Sequence, residues 1–136
     1  MAKNDTVHFG ILGCTNIARK VPRAISLSPN ATIYAIASRS IQKAEKFATE
    51  NSLPASLKIN GSYNEVVEDS GVDAMYIPLP TSLHVQWAVT AASKKKHILV
   101  EKPAALDAAE LDRILEACEF NGVQFMDGSI YGVASP

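Results

Sequence analysis

The chain has 136 residues, a formal net charge of −1 and two cysteines, Cys14 and Cys118. That length suits one domain with a sizeable core, and the near-neutral balance gives no electrostatic reason to expect nucleic acid or an anionic membrane as a partner. Two cysteines are too few for a disulfide framework, and their spacing is not that of a metal site.

The polar start Met1–Asp5 has no apolar signal region behind it, and no apolar run approaches the ~20 residues of a membrane span. The expectation is a cytoplasmic domain in a reducing compartment. Val7, Phe9, Ile11 and Leu12 form an apolar, strand-like run, Gly13 to Asn16 a tight turn, and Ile17 opens a helical pattern. A strand that turns sharply into a helix presents unpaired backbone N–H groups, which attract a pyrophosphate. The matching fingerprint is G-x-G-x-x-G/A. Here it reads Gly13, Thr15 and Ala18. Threonine in the middle crowds the phosphate approach, so a plain strand–helix turn competes with a phosphate-binding one. Gly13, Thr15, Asn16 and Ile17 are the candidate contacts.

Ile17–Ser28 reads as a helix with Ile17, Val21, Ala24, Ile25 and Ser28 on one face, kinked or delayed by Pro22. Thr32–Ala37 is a second strand, apolar without alternation, as in a parallel sheet covered on both faces. Ser40 is the expected N-cap of a helix from Ile41 to about Asn51, with Ala44, Phe47 and Ala48 inward. A loop over Asn51–Ser56 leads to a short third strand at Leu57–Ile59. Ser62-Tyr-Asn-Glu65 has capping-box form and opens a short helix carrying Val66 and Val67.

Ala74–Leu79 is a fourth strand, limited at its end by Pro78 and Pro80. Ser82–Lys94 is helical, and Lys94-Lys95-Lys96 reads as its solvated end, favoured by the helix dipole. His97–Val100 is a fifth strand. Asp107-Ala-Ala-Glu110 is a second capping box, opening a helix through Glu119 with Leu111, Ile114, Leu115 and Cys118 inward. Asn121-Gly122 is a left-handed helix stop, and Val123–Met126 a sixth strand. Asp127–Pro136 shows no clear pattern.

Six strands alternating with helices call for an α/β fold with a doubly wound parallel sheet. Ligands of such sheets bind at the carboxyl ends of the strands. That rule gathers Gly13–Asn16, Ser38–Ser40, Leu79–Thr81 and Glu101–Pro103 on one rim. An NAD-selective domain carries an acid at the end of its second strand. This chain has Ser38-Arg39 there; Arg39 can pair with a 2′-phosphate and Ser38 can donate to it. NADP is therefore favoured, with NAD possible. Lys102 can stabilise a developing alkoxide during hydride transfer, and Glu101 can orient the lysine or the nicotinamide ribose. A solvated Glu-Lys pair is the competing reading. His84 can reach the cofactor or substrate pocket, against the alternative of a structural histidine, and Tyr76 reads as structural. No catalytic triad, metal cluster or paired-carboxylate arrangement is evident.

Phe9–Ala18, Ala37–Ser40, Tyr76-Ile-Pro-Leu-Pro-Thr-Ser-Leu-His84, Glu101-Lys-Pro103 and Met126-Asp-Gly128 carry a resemblance. The chain resembles the N-terminal half of the glucose–fructose oxidoreductase, inositol dehydrogenase and rhizopine-catabolism (Gfo/Idh/MocA) family, most closely its plant members. The resemblance implies a Rossmann, NAD(P)-binding domain over residues 1–128 and an oxidoreductase acting on a sugar, polyol or related hydroxy/keto compound. It implies Lys102 as active-site lysine, with His84 beside it, and a cis peptide bond into Pro103. Thr81 and His84 would line the nicotinamide pocket, and Arg39 would pack on the adenine. Lys43, Leu79, Pro80 and Pro103 complete the expected cofactor contacts.

The family's second domain supplies much of its substrate pocket, its oligomerisation sheet, and an aspartate and a histidine that work with the lysine. The expectation is that this domain is absent here and that 129–136 is a divergent tail. The chain would then bind NADP(H) weakly, turn over little alone, and self-associate or pair with full-length relatives. A non-catalytic NADP(H)-binding module is the alternative. A methyltransferase is disfavoured, since it would want a carboxylate for its ribose.

Overall fold

The computed structural model describes residues 6–13, 25, 29–53, 56–101 and 103–127. Six parallel strands form one sheet: β1 Val7–Leu12, β2 Ala31–Ala37, β3 Lys58–Asn60, β4 Ala74–Ile77, β5 His97–Val100 and β6 Phe125–Asp127. Their order is β3-β2-β1-β4-β5-β6. The chain therefore winds outward from β1 in one direction through β3, then returns to β4 and winds outward the other way. The reversal opens a crevice between the carboxyl ends of β1 and β4. The doubly wound expectation is met.

Four α-helices are described: α1 Ile41–Glu50, α2 Tyr63–Val67, α3 His84–Ser93 and α4 Ala108–Asn121. Strand alternation sends neighbouring residues to opposite faces. Leu12, Met75, Ile77, Ile98 and Val100 meet α2, α3 and α4 through Val66, Val67, Ala88, Ala91, Ala92, Ile114 and Cys118. Ile11, Ile33, Ile36, Tyr76 and Leu99 form a second buried cluster on the other face, which also holds Ala44, Phe47 and Ala48 of α1. The expected helix over 17–28 lies outside the described residues except for Ile25, which is helical and buried in that second cluster.

Local signals explain most element ends. Ser40 caps α1 by accepting from Lys43 N. Asp107 accepts from Glu110 N at 2.9 Å, while Glu110 Oε1 accepts from Leu106 N at 3.0 Å, one residue before the cap. Gly122 takes φ 70° and stops α4.

The structure also corrects several expectations. Ser62 has an extended N-cap backbone but makes no capping bond with its side chain; α2 is anchored by buried Val66 and Val67 instead. β4 ends at Ile77, because Pro78 can donate no ladder hydrogen bond. β3 and β6 each start later than their apolar runs. A single 3₁₀ turn over Thr81–Leu83 precedes α3. Leu115 is 41% exposed rather than inward, since Ile114 and Cys118 already define the buried stripe of α4.

The lysine run is only partly solvated. Lys95 takes the left-handed position after α3, at φ 67°. The turn brings Lys96 inward, where its Nζ donates to Asp69 O at 2.6 Å and Val72 O at 2.7 Å. Burial pushes this ammonium below its ordinary value, against the opposing pull of Asp69, Asp73 and Glu68. Cys118 is a buried thiol whose burial raises it, as expected of a small core residue.

Candidate functional site

The crevice begins at Gly13. Its φ is +106°, a conformation that L side chains rarely adopt. Its N–H donates to Ala37 O at 2.9 Å, tying the turn to the end of β2. Cys14, Thr15, Asn16 and Ile17 lie outside the described residues.

Beside Gly13, the ends of β2 and α1 build a polar wall. Ser38 is 6% exposed, and its N–H donates to Asn60 O at 3.2 Å. Ser40 Oγ accepts from Lys43 N at 3.4 Å and donates to Gln42 Oε1 at 2.9 Å. The first turn of α1 carries no acidic residue. Arg39 and Lys43 are exposed cations on this wall, at the helix end where backbone N–H groups already favour an anion.

Together with Tyr63, Leu79, Pro80 and Leu83, these groups line a cleft of about 440 Å³. The lining joins the Arg39 and Lys43 cations and the Ser38 and Ser40 hydroxyls with the apolar side chains of Leu79, Pro80 and Leu83 and the Tyr63 ring. The cleft brings together the expected Gly13, Ser38, Arg39, Lys43, Leu79 and Pro80. Ser40, gathered on the rim by the strand-end rule, also lines the cleft, whereas Tyr63 and Leu83 were not anticipated there; Tyr63 reads in sequence only as the start of a short helix. Tyr63 packs edge-on against Trp87, with ring centroids 5.3 Å apart at 89°.

The second part of the rim joins the loops after β4 and β5. Thr81 Oγ1 donates to Pro103 O at 3.3 Å. His84 is 1% exposed; its Nδ1 lies 2.9 Å from Ala104 O and its Nε2 2.8 Å from Leu79 O. Both partners are main-chain carbonyls, one from each loop. Of the two readings of His84, a residue reaching the cofactor or substrate pocket or a structural histidine, the geometry bears on the second: its ring is enclosed between two loops and its nitrogens face main-chain carbonyls. Glu101 stands at the end of β5, and its Oε2 accepts from the Tyr76 hydroxyl at 2.5 Å. Lys102 lies outside the described residues. Among the described residues no His/Cys/Asp/Glu group has a metal-binding arrangement, and no helix is long and apolar enough to cross a membrane.

A parallel doubly wound sheet, a left-handed glycine after β1 and a ligand-sized crevice at the strand reversal define a Rossmann-type domain. Residues 7–129 match the family model described as "Oxidoreductase family, NAD-binding Rossmann fold" (GFO_IDH_MocA). The chain belongs to this family. It is 42% identical over 119 residues to an uncharacterized oxidoreductase of Rhizobium meliloti, covering 87% of this chain and 35% of that protein. It is 39% identical over 124 residues to an NADP(+)-dependent D-xylose 1-dehydrogenase of Haloferax volcanii, covering 90% of this chain and 37% of the relative. Among solved structures, a 3-ketoreductase from Actinomadura kijaniata in complex with NADP and TDP-benzene superposes with a TM-score of 0.84 at 31% identity, covering 90% of this chain and 37% of that one. The chain thus spans little more than a third of the length of these relatives.

Proposed function

We propose that this chain is the NADP(H)-binding part of an oxidoreductase that transfers hydride on a sugar, polyol or related hydroxy/keto compound. The observation that carries the reading is the cleft itself. Gly13 at positive φ faces Ser38, Arg39, Ser40 and Lys43, and no acid stands in the first turn of α1. An acid there would bond a free 2′-hydroxyl and repel a 2′-phosphate; this wall does the reverse. The relatives support it: one is named as an NADP(+)-dependent sugar dehydrogenase, and a 3-ketoreductase was solved with NADP.

In this reading the adenine lies against Leu79, Pro80 and Leu83, and the 2′-phosphate against Ser38, Arg39 and Lys43. Gly13, Thr15, Asn16 and Ile17 would hold the pyrophosphate. Glu101 serves the nicotinamide ribose, with Thr81 and Pro103 in the adjoining wall. Lys102 donates to the substrate oxygen and stabilises the charge that develops as hydride moves. His84 holds the loops that carry these groups and touches no reacting atom, so it acts as a positioning residue.

The contacts proposed for the dinucleotide all fall within these 136 residues, whereas the relatives are about two and a half times as long. The chain alone is therefore expected to bind dinucleotide with little turnover, which also accommodates the second reading, a non-catalytic NADP(H)-binding module. A cytoplasmic setting and self-association, or pairing with longer relatives, belong to the same proposal. Phe120, 88% exposed, and Leu106, 62% exposed, provide apolar surface for such contacts.

Fluorescence titration with NADPH and NADH tests the reading, with the single tryptophan, Trp87, as reporter behind Tyr63. Saturable binding that favours NADPH is expected. No binding of either nucleotide refutes the proposal.

A further inference from the structure

β4 is an apolar run, Ala74–Ile77, buried throughout. One of its side chains carries a hydroxyl. Tyr76 is 0% exposed and belongs to the buried cluster that holds Ile11, Ile36 and Leu99. A phenylalanine would fill the same volume without burying a polar group. A buried phenol is tolerable only if its O–H finds a partner.

The register decides what that partner is. Tyr76 pairs with Leu99 on β5. Glu101 lies two residues further along, on the same side of the strand direction and about 7 Å nearer the crevice. The long tyrosine side chain leans that way, and its hydroxyl donates to Glu101 Oε2 at 2.5 Å. The bond links a rigid central strand to a carboxylate at the rim, directly before Lys102. A glutamate at a strand end otherwise samples several rotamers, and fixing it on ligand binding costs entropy. Here the orientation is set before any ligand arrives.

We propose that Tyr76 is a positioning residue: its hydroxyl holds the Glu101 carboxylate in the orientation that meets the ribose hydroxyls of the nicotinamide half of the dinucleotide. The inference rests on the reading of this crevice as an NADP(H) site. It adds a residue buried beneath that site, whose effect through Glu101 falls on only one half of the ligand.

The experiment compares two ligands on the full chain. NADPH carries both halves of the dinucleotide, while adenosine 2′,5′-bisphosphate carries only the adenine half. Tyr76→Phe is expected to weaken NADPH about fivefold, the worth of one hydrogen bond, and to leave adenosine 2′,5′-bisphosphate unchanged. Retained binding of the shorter ligand also shows that the variant is folded. Glu101→Gln is expected to give the same selective loss, and the double variant no more than either single one. Equal loss of both ligands in Tyr76→Phe, unchanged NADPH affinity, or additive losses would overturn the proposal. Failure of the unsubstituted chain to bind either ligand would instead refute the NADP(H) reading on which it rests.

Discussion

Gly13 and Leu79 approach so closely that a β-carbon on the glycine would stand 2.8 Å from Leu79 Cδ2. The contact joins the turn after β1 to the loop after β4, the two sides of the crevice. Gly13→Ala would hold an L side chain at φ +106°, while the contact with Leu79 can be relieved by a shift of that side chain's flexible end. We expect a loss of about 1–3 kcal/mol in stability and loss of nucleotide binding, read by urea unfolding and by the NADPH titration. A variant as stable and as competent as the parent would mean that the turn relaxes freely.

Arg39 and Lys43 are exposed, so their removal should leave folding nearly untouched. Arg39→Ala is expected to weaken NADPH roughly tenfold, in line with loss of a charge-assisted hydrogen bond, and to leave NADH within error. The preference should shrink as salt is raised, because both cations face solvent. Equal effects on the two nucleotides would assign Arg39 to the adenine rather than to the 2′-phosphate.

His84 closes two loops at once, through Leu79 O and Ala104 O. His84→Ala leaves both carbonyls and a cavity behind it, and is expected to cost about 2–4 kcal/mol. Chemical denaturation measures the cost directly. If His84 were instead a proton donor in an open pocket, the substitution would spare stability.

Acid should act on the opposite rim. Partial burial works to raise the Asp69 carboxyl, but the Gly71 N–H and then the Lys58 ammonium outweigh it, and the group is held below its ordinary 3.8. A depressed carboxyl contributes stability that is full above the unfolded value and is lost as pH falls through the folded one. Unfolding free energy should therefore decline below about pH 3.8, and Asp69→Asn should flatten that part of the profile. An unchanged acid limb in Asp69→Asn would show that other carboxylates control it.

Much of the cleft's lining was legible because its signals are local. Gly13 takes a positive φ directly after β1, and Ser38 and Arg39 follow directly on β2, so their place on the rim follows from the strands before them. Tyr63 and Leu83 carry no such signal. They reach the cleft because α2 and the turn before α3 happen to meet across it. Lys96 was misread for a related reason: three consecutive lysines look like a solvated helix end, but the left-handed turn at Lys95 directs the third one inward.

By itself the sequence determined the order of strands and helices, the doubly wound parallel sheet, the caps at Ser40 and Asp107, and the stop at Gly122. Each depends on periodicity, a side-chain oxygen beside a backbone N–H, or a permitted φ within a few residues. Only the tertiary structure decided that His84 lies between two loops and that Tyr76 holds Glu101. Those partners are 20 and 25 residues apart. Their meeting depends on the register of β4 against β5 and on the packing of α3 beside them, which no stretch of local sequence encodes.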